Sequence, residues 1–186
     1  MRVFGIDPGS VRTGYGCVET DGRRHVLVAC GAISPPANAP IPERLRVIHA
    51  DLGRLLRQSR PDAVAIENLF HASNVRSALK LGHARGVAML AAVEAGLPLV
   101  EYTPAEIKRA VVGYGRAEKP QVQHMIKLLL GLDVAPEPHD AADALAVAIC
   151  HVHCAASPMK RAALAAGSAQ KTPRSWRAMR LEDLRR

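Results

Sequence analysis

Aromatic residues are scarce in this chain of 186 residues, where Phe, Trp and Tyr together make up 3%. Proteins that bind single-stranded nucleic acid by stacking bases on a sheet need several exposed aromatic side chains, so a stacking platform is not expected. A run of ~18 apolar residues is also missing, and no transmembrane helix is expected. The N-terminus has no signal-peptide pattern. These absences predict a cytoplasmic protein.

Cysteine is present at only four positions, and no two of them form a Cys-x-x-Cys pair. A chain of this length does not need disulfide staples. The densest group is "CHVHC" at 150–154. On a helix, positions 151 and 153 lie roughly 200° apart, so four ligands cannot converge on one metal ion. We therefore expect inert thiols.

Acidic residues are few at the C-terminal end. Residues 157–186 contain eight Lys and Arg but only two acids, so they contribute +6 to the formal charge of +8. Residues 1–156 contribute the remaining +2. The length suits one domain with a single core. We expect a folded domain over 1–156 and a basic, flexible tail over 157–186. The tail either only aids solubility or gains affinity from phosphate contacts.

Hydrophobic periodicity predicts five strands and five helices. An Asp-Gly turn signal in "DGRR" predicts that the second and third strands form a hairpin. Three strands in succession, followed by helices that alternate with two more strands, predict a five-stranded mixed sheet with helices on both faces. The strands are expected at 2–7, 13–20, 25–33, 62–67 and 97–103, and the helices at 43–59, 75–95, 103–113, 121–132 and 140–154.

The predicted helix over 75–95 carries two glycines four residues apart, Gly82 and Gly86, which share one face. A small-residue face of this kind either packs closely against the sheet or contacts a helix of another subunit. The sequence leaves both interpretations open.

The segment "RVFGIDPGSVRTGYG" places Asp7 at the end of a short apolar run, with Pro-Gly and two further glycines after it. The carboxylate has no partner within the segment. Two chemistries use an acid at this position. One is the phosphate-cradling loop of an actin- or hexokinase-like ATPase, and the other is a metal anchor in a nuclease of the ribonuclease H type.

Three other acids occupy comparable positions. Glu67 ends the fourth strand, which is expected to lie parallel and adjacent to the first, so its carboxylate and that of Asp7 meet at one sheet edge. Asp140 and Asp143 are three residues apart on one helix face. Each acid alone can be a turn, strand-end or helix-cap residue. Asp143, however, lies within "AADALAVA" and needs a partner or a metal when that helix is buried.

A set of four carboxylates provides only oxygen ligands, which suit Mg²⁺ or Mn²⁺. Two such ions close together activate a water molecule and stabilise a leaving oxygen in phosphodiester cleavage. Four acids fit two ions better than one. The glycines after Asp7 then allow a tight turn beside the metal and keep the cleft clear for a DNA backbone.

Five motifs occur in order over residues 1–156, namely "GIDPGSVRTGYG", "IENLF", "SALKLGHARG", "GYGRAEKPQVQHMI" and "HDAADALAVAI". Together they resemble the RuvC family of bacterial Holliday junction resolvases, within the ribonuclease H-like superfamily. The resemblance implies a homodimeric, Mg²⁺-dependent endodeoxyribonuclease that resolves four-way DNA junctions by paired symmetric nicks. It further implies 5′-phosphate and 3′-hydroxyl ends, two metal ions per site with Mn²⁺ able to substitute, and a role with RuvA and RuvB in recombination and repair.

The resemblance also assigns residues. The four metal-binding catalytic acids fall on Asp7, Glu67, Asp140 and Asp143. Some relatives carry His in place of Asp140, which makes His139 a further candidate. The residues implied to contact DNA are Phe70, near the junction crossover, and Lys108 and Lys119. Arg116 is a further candidate because it lies beside Lys119 in the basic loop "GRAEK".

Three alternatives remain at the level of sequence. A nuclease of the pre-16S ribosomal RNA group shares the "D-x-G" opening but usually has a shorter chain. An actin-like ATP-binding protein needs two similar domains, for which 186 residues give no room. A non-catalytic junction-binding module would hold the DNA without cutting it.

Overall fold

The computed structural model describes residues 1–68 and 74–156, and it gives five strands and five helices in that part of the chain. The residues Met1–Cys154 form one compact unit, and a second unit, Ala155–Arg186, contains the predicted basic tail, which lies outside the described residues. The elements are β1 (Arg2–Asp7), β2 (Thr13–Thr20), β3 (His25–Ile33), α1 (Ile41–Ser59), β4 (Ala63–Glu67), α2 (Val75–Glu94), β5 (Leu99–Tyr102), α3 (Pro104–Val112), α4 (Lys119–Leu129) and α5 (His139–Ala156).

The strands form one mixed sheet in the order β3-β2-β1-β4-β5. The pairs β1–β2 and β2–β3 are antiparallel, whereas β1–β4 and β4–β5 are parallel. The hairpin between β2 and β3 turns at Asp21, whose Oδ1 accepts hydrogen bonds from the backbone N–H groups of Arg23 and Arg24, both at 2.8 Å. The predicted sheet and hairpin are confirmed.

Helices cover both faces of the sheet, because successive side chains of the central strands point to opposite faces and both sets are apolar. On one face, Phe4 and Ile6 of β1 pack in a core with α1 and α2. On the other face, Val3 belongs to a core built with α3, α4 and α5. The central strands are therefore buried on both sides, as expected for the parallel part of a sheet.

Glycines on β1 and β2 allow α5 to lie directly on the sheet. A Cβ at Gly5 would be 2.1 Å from the carbonyl oxygen of Ala144, and a Cβ at Gly14 would be 2.0 Å from that of Asp140. A Cβ at Gly16 would be 2.7 Å from the Leu145 side chain. The expectation that the glycines after Asp7 keep a cleft clear for DNA is therefore wrong for Gly14 and Gly16, since α5 fills that space.

The helix α4 begins at Lys119, two residues earlier than predicted. The side chain of Gln121 reaches back to accept a hydrogen bond from the Glu118 backbone N–H at 2.8 Å, and Pro120 fits the first turn. The sequence pattern placed Lys119 in a loop because the apolar repeat begins only at Val122. The folded chain instead holds Lys119 at the first position of a helix.

The face of α2 that carries Gly82 and Gly86 points away from the sheet. A Cβ at either glycine would have no heavy atom within 4 Å. Close packing of these glycines against the sheet is therefore excluded. None of the helices in the described ranges has the length and apolar character that crossing a bilayer requires.

Candidate active site

The parallel pairing of β1 and β4 brings two carboxylates side by side. The register pairs Gly5 with Ala65 and Ile6 with Ile66, so Asp7 and Glu67 follow as the next positions of their strands. Because side chains alternate along a strand, Asp7 points to the same face as Gly5, which is the face covered by α5. The two carboxyl groups are close enough to influence each other's pKa.

The first turns of α5 supply the other two acids. The contact between Gly14 and the Asp140 carbonyl places the start of this helix against β2, next to the strand that carries Asp7. Asp143 lies one turn into the helix, and its side chain is 19% exposed. The structure therefore brings Asp7, Glu67 and Asp143 together, with Asp140 at the edge of the group.

A cavity of about 300 Å³ opens between these acids and the helices α3 and α4. Asp140 does not line it. Sequence patterns gave no sign of the apolar wall, because its residues have the same spacing as ordinary core positions of their helices. The lining consists of the acids Asp7, Glu67 and Asp143, the cations Lys108 and Lys119, and the apolar residues Pro104, Ile107, Val122 and Ala146.

Burial and crowding of like charge perturb the central pair of acids. Burial, with Glu67 and Asp143 nearby, raises the pKa of Asp7 to about 8. Burial also raises the pKa of Glu67, although the hydrogen bond with Asp7 opposes the increase. Burial beside a second carboxyl group therefore makes Asp7 retain a proton more readily than an exposed aspartate does.

Each acid of α5 has a cation from another element. Lys119 Nζ lies 3.1 Å from Asp143 Oδ2, and the Lys119 side chain is 74% exposed. This ion pair raises the pKa of Lys119. Arg12, in the segment between β1 and β2, donates from Nη1 to Asp140 Oδ2 at 3.3 Å. Arg12 was not predicted as a site residue, although it lies in the segment that directly follows Asp7.

The remaining predicted residues lie farther from the cavity. His139 begins α5, is exposed, and its Nδ1 is 2.8 Å from the side-chain amide of Gln123. Arg116 is exposed and does not line the cavity. Phe70 lies outside the described residues. Of the predicted DNA contacts, Lys108 and Lys119 are thus placed at the cavity.

The donor set suits a divalent metal ion. All four acids supply oxygen, and the raised pKa of Asp7 reflects its burial and the like charges of its neighbours. Across the described ranges, however, no three His, Cys, Asp or Glu side chains are already arranged to hold an ion.

Comparison with known proteins agrees with this arrangement. Residues 3–151 match the family model described as Crossover junction endodeoxyribonuclease RuvC. A protein of that description from Syntrophotalea carbinolica is 57% identical over 155 residues, which cover 83% of this chain and 95% of the relative.

Solved structures give the same result. Thermus thermophilus RuvC in complex with a Holliday junction substrate superposes with a TM-score of 0.80 at 39% identity, covering 84% of this chain and 95% of that one. The yeast mitochondrial Holliday junction resolvase Ydc2 shares the fold with a TM-score of 0.60 at 14% identity, covering 88% of this chain and 80% of that one. This chain therefore belongs to the RuvC family of crossover junction endodeoxyribonucleases.

Proposed function

We propose that this protein resolves four-way DNA junctions by hydrolysing one phosphodiester bond in each of two strands, leaving 5′-phosphate and 3′-hydroxyl ends. Membership of the family supports the reaction class, and the Thermus thermophilus relative was solved with a Holliday junction substrate. The observation that carries the proposal is the pairing of Asp7 and Glu67 on adjacent parallel strand ends, facing Asp143 across one cavity.

Asp7, Glu67, Asp140 and Asp143 are the proposed ligands of two Mg²⁺ ions, with Mn²⁺ able to substitute. Divalent ions held by oxygen ligands supply activation of water and charge stabilisation of a leaving oxygen in phosphodiester hydrolysis. The strand ends hold Asp7 and Glu67 close to each other, and ionisation of both requires compensation by positive charge. Loss of the proton on Asp7 is therefore coupled to metal binding.

Lys108 and Lys119 are the proposed phosphate contacts nearest to the acids. Both line the cavity, and the exposed Lys119 side chain is held at its mouth by Asp143. Cations in this position attract the DNA backbone and make the affinity dependent on salt. Phe70 is proposed as an outer DNA contact from the family resemblance, and Arg116 as another because it lies in the basic loop with Lys119. His139 is proposed as an accessory residue because it adjoins Asp140.

An exposed apolar stripe on α2 supports a homodimer. Exposed residues recur at helical spacing along this helix and flank the open glycines Gly82 and Gly86. The largest of them are Val75, Leu79, Leu90 and Val93, which are 77%, 60%, 49% and 65% exposed. A second copy of the same helix is the proposed occupant, because glycines with free space above them allow two helices to approach closely. A two-fold dimer also supplies the two sites that paired nicks require.

The variant Leu79→Glu is expected to convert the dimer into a monomer, raising the dimer dissociation constant at least about tenfold by placing charge in the apolar contact. Size-exclusion chromatography with light scattering measures the change. Leu128→Glu provides a matched control, because Leu128 is a leucine of similar exposure (58%) on α4. Equal masses for the Leu79→Glu variant and wild type would contradict the α2 interface.

The substrate preference separates this proposal from a structured-RNA nuclease on the same fold. With Mg²⁺, we expect nicking of a mobile four-way DNA junction and little cleavage of linear duplex DNA or a folded RNA of equal length. Denaturing electrophoresis of end-labelled strands maps the cuts, and ligation of the products without further treatment tests the proposed ends. Preferential cleavage of the RNA would favour the alternative.

Other expectations stay predictions from sequence and family resemblance. They are the cooperation with RuvA and RuvB, the cytoplasmic location, and the roles of the domain over 1–156 and the basic tail over 157–186.

A further inference from the structure

Asp140 differs from the other three acids in its surroundings. Asp7, Glu67 and Asp143 line the cavity, whereas Asp140 lies outside the lining and accepts a hydrogen bond from Arg12. The partners are 128 residues apart in the chain, so the contact exists only in the folded protein. The side chains of Arg12 and Asp140 are 50% and 32% exposed, so solvent and ligands reach the pair.

The loop that carries Arg12 is held in place by its own contacts. Thr13 is fully buried and donates from Oγ1 to the Gly9 carbonyl at 2.8 Å. The Arg44 guanidinium of α1 donates to the Ser10 carbonyl. A Cβ at Gly9 would be 2.1 Å from the Arg12 carbonyl oxygen, so the turn is as tight as glycine allows. The backbone at Arg12 is thus anchored beside the acids, while its half-exposed side chain reaches Asp140.

Exposed ion pairs such as this one are weak, because water solvates both partners and the long side chain loses freedom in the pair. A divalent ion ligated by several carboxylates competes effectively for the same oxygen. If Asp140 turned to such an ion, Arg12 would lose its partner at the rim of the proposed DNA site. A guanidinium is well suited to a phosphate, since its planar N–H groups match the oxygens.

We propose that Arg12 is a positioning residue that holds Asp140 away from the cavity until a divalent ion binds, and that then contacts a phosphate of the DNA. This inference rests on the proposed role of Asp140 as a metal ligand. It assigns opposite contributions to one side chain. Arg12 weakens binding of the ion to the free protein and strengthens binding of the junction to the metal-loaded protein.

The test uses the full-length variants Arg12→Met and Arg12→Lys. Arg12→Met is expected to bind Mn²⁺ about two- to fivefold more tightly than wild type without DNA, as monitored by the electron paramagnetic resonance signal of free Mn²⁺. With Ca²⁺ in place of Mg²⁺ to suppress cleavage, the same variant is expected to bind the junction more weakly. The slope of log affinity against log salt should become shallower by about one.

Arg12→Lys should recover most of the salt slope, because it restores the charge. Arg23→Met is the matched control, since it removes the same charge from the exposed β2–β3 turn at the other end of β2. If Arg12 has a purely structural role, both Mn²⁺ and the junction should bind more weakly to Arg12→Met than to wild type. That result would overturn the inference. Unchanged Mn²⁺ affinity would overturn it as well.

Wild type and Asp7→Asn distinguish this inference from the proposed function. If wild type binds Mn²⁺ and Asp7→Asn binds it more weakly, the metal site stands, and the Arg12 variants alone decide the inference. If wild type binds no Mn²⁺, both the metal site and the proposed competition at Asp140 are refuted.

Discussion

The Asp7→Asn variant is expected to nick a four-way junction about 10³-fold more slowly than wild type in Mg²⁺ while still binding it. The substitution keeps the shape of the side chain but removes the carboxyl group whose ionisation is coupled to metal binding. Asp7 and Glu67 end adjacent parallel strands and line the cavity with Asp143, so Asp7 is central to the acid group. Single-turnover nicking and binding in Ca²⁺ measure the two effects separately.

Asp133→Asn is a control that removes one negative charge from an exposed position in the segment before α5. We expect its nicking rate to match wild type, because the residue does not line the cavity. If Asp7→Asn and Glu67→Gln both cut the junction at the wild-type rate while still binding it, the cleavage comes from another source, and a non-catalytic junction-binding module becomes the better description of this protein.

The same Asp7→Asn variant is expected to be more stable than wild type when metal is removed. Below pH 3.8, the ordinary pKa, Asp7 is protonated in both the folded and the unfolded chain and costs no stability. Between 3.8 and about 8, the unfolded chain releases the proton and the folded chain retains it, so the stability of wild type falls as pH rises. Asn does not titrate and avoids this loss.

Chemical denaturation in EDTA measures the difference. We expect little difference near pH 4 and an advantage of about 1–3 kcal/mol for Asp7→Asn at pH 8. The advantage should level off above pH 8, where both states of wild type are ionised. A catalytic group that lowers the stability of its own fold is a common cost of function. A constant difference from pH 4 to pH 8 would contradict the raised pKa of Asp7.

The second large effect is expected at Gly5. In Gly5→Ala the new methyl group would be 2.1 Å from the Ala144 carbonyl oxygen and 2.7 Å from the Ala148 backbone nitrogen. Backbone atoms of a buried helix cannot rotate away, so α5 has to move off the sheet. We expect a loss of about 3 kcal/mol of unfolding free energy. Nicking should also fall, because α5 carries Asp140 and Asp143.

Gly53→Ala is the matched control for this prediction. Gly53 lies inside α1, and a Cβ there would meet only the mobile end of the Arg57 side chain, at 3.4 Å. In a helix interior, alanine is more favourable than glycine by about 1 kcal/mol. The thermal stability of this variant should therefore equal or exceed that of wild type. Equal melting temperatures for the Gly5→Ala variant and wild type would show that α5 does not rest on β1.

Much of the fold followed from local patterns. The apolar pattern of the sequence located β1, β2 and β3. The predicted order of strands and helices then led to the mixed sheet. The ends of helices were less accurate, as Lys119 illustrates, because a capping contact between Glu118 and Gln121 extends α4 beyond its apolar repeat. Capping depends on side-chain geometry that an apolar pattern does not contain.

The sequence by itself determined that Asp7 and Glu67 end neighbouring strands, because strand order and the direction of crossover connections decide which carboxylates share an edge. Only the tertiary structure decided how the glycines are used. Gly5 faces a helix backbone from another part of the chain, whereas Gly82 faces open space. Only the folded chain pairs Arg12 with Asp140, since no local pattern relates residues 128 positions apart.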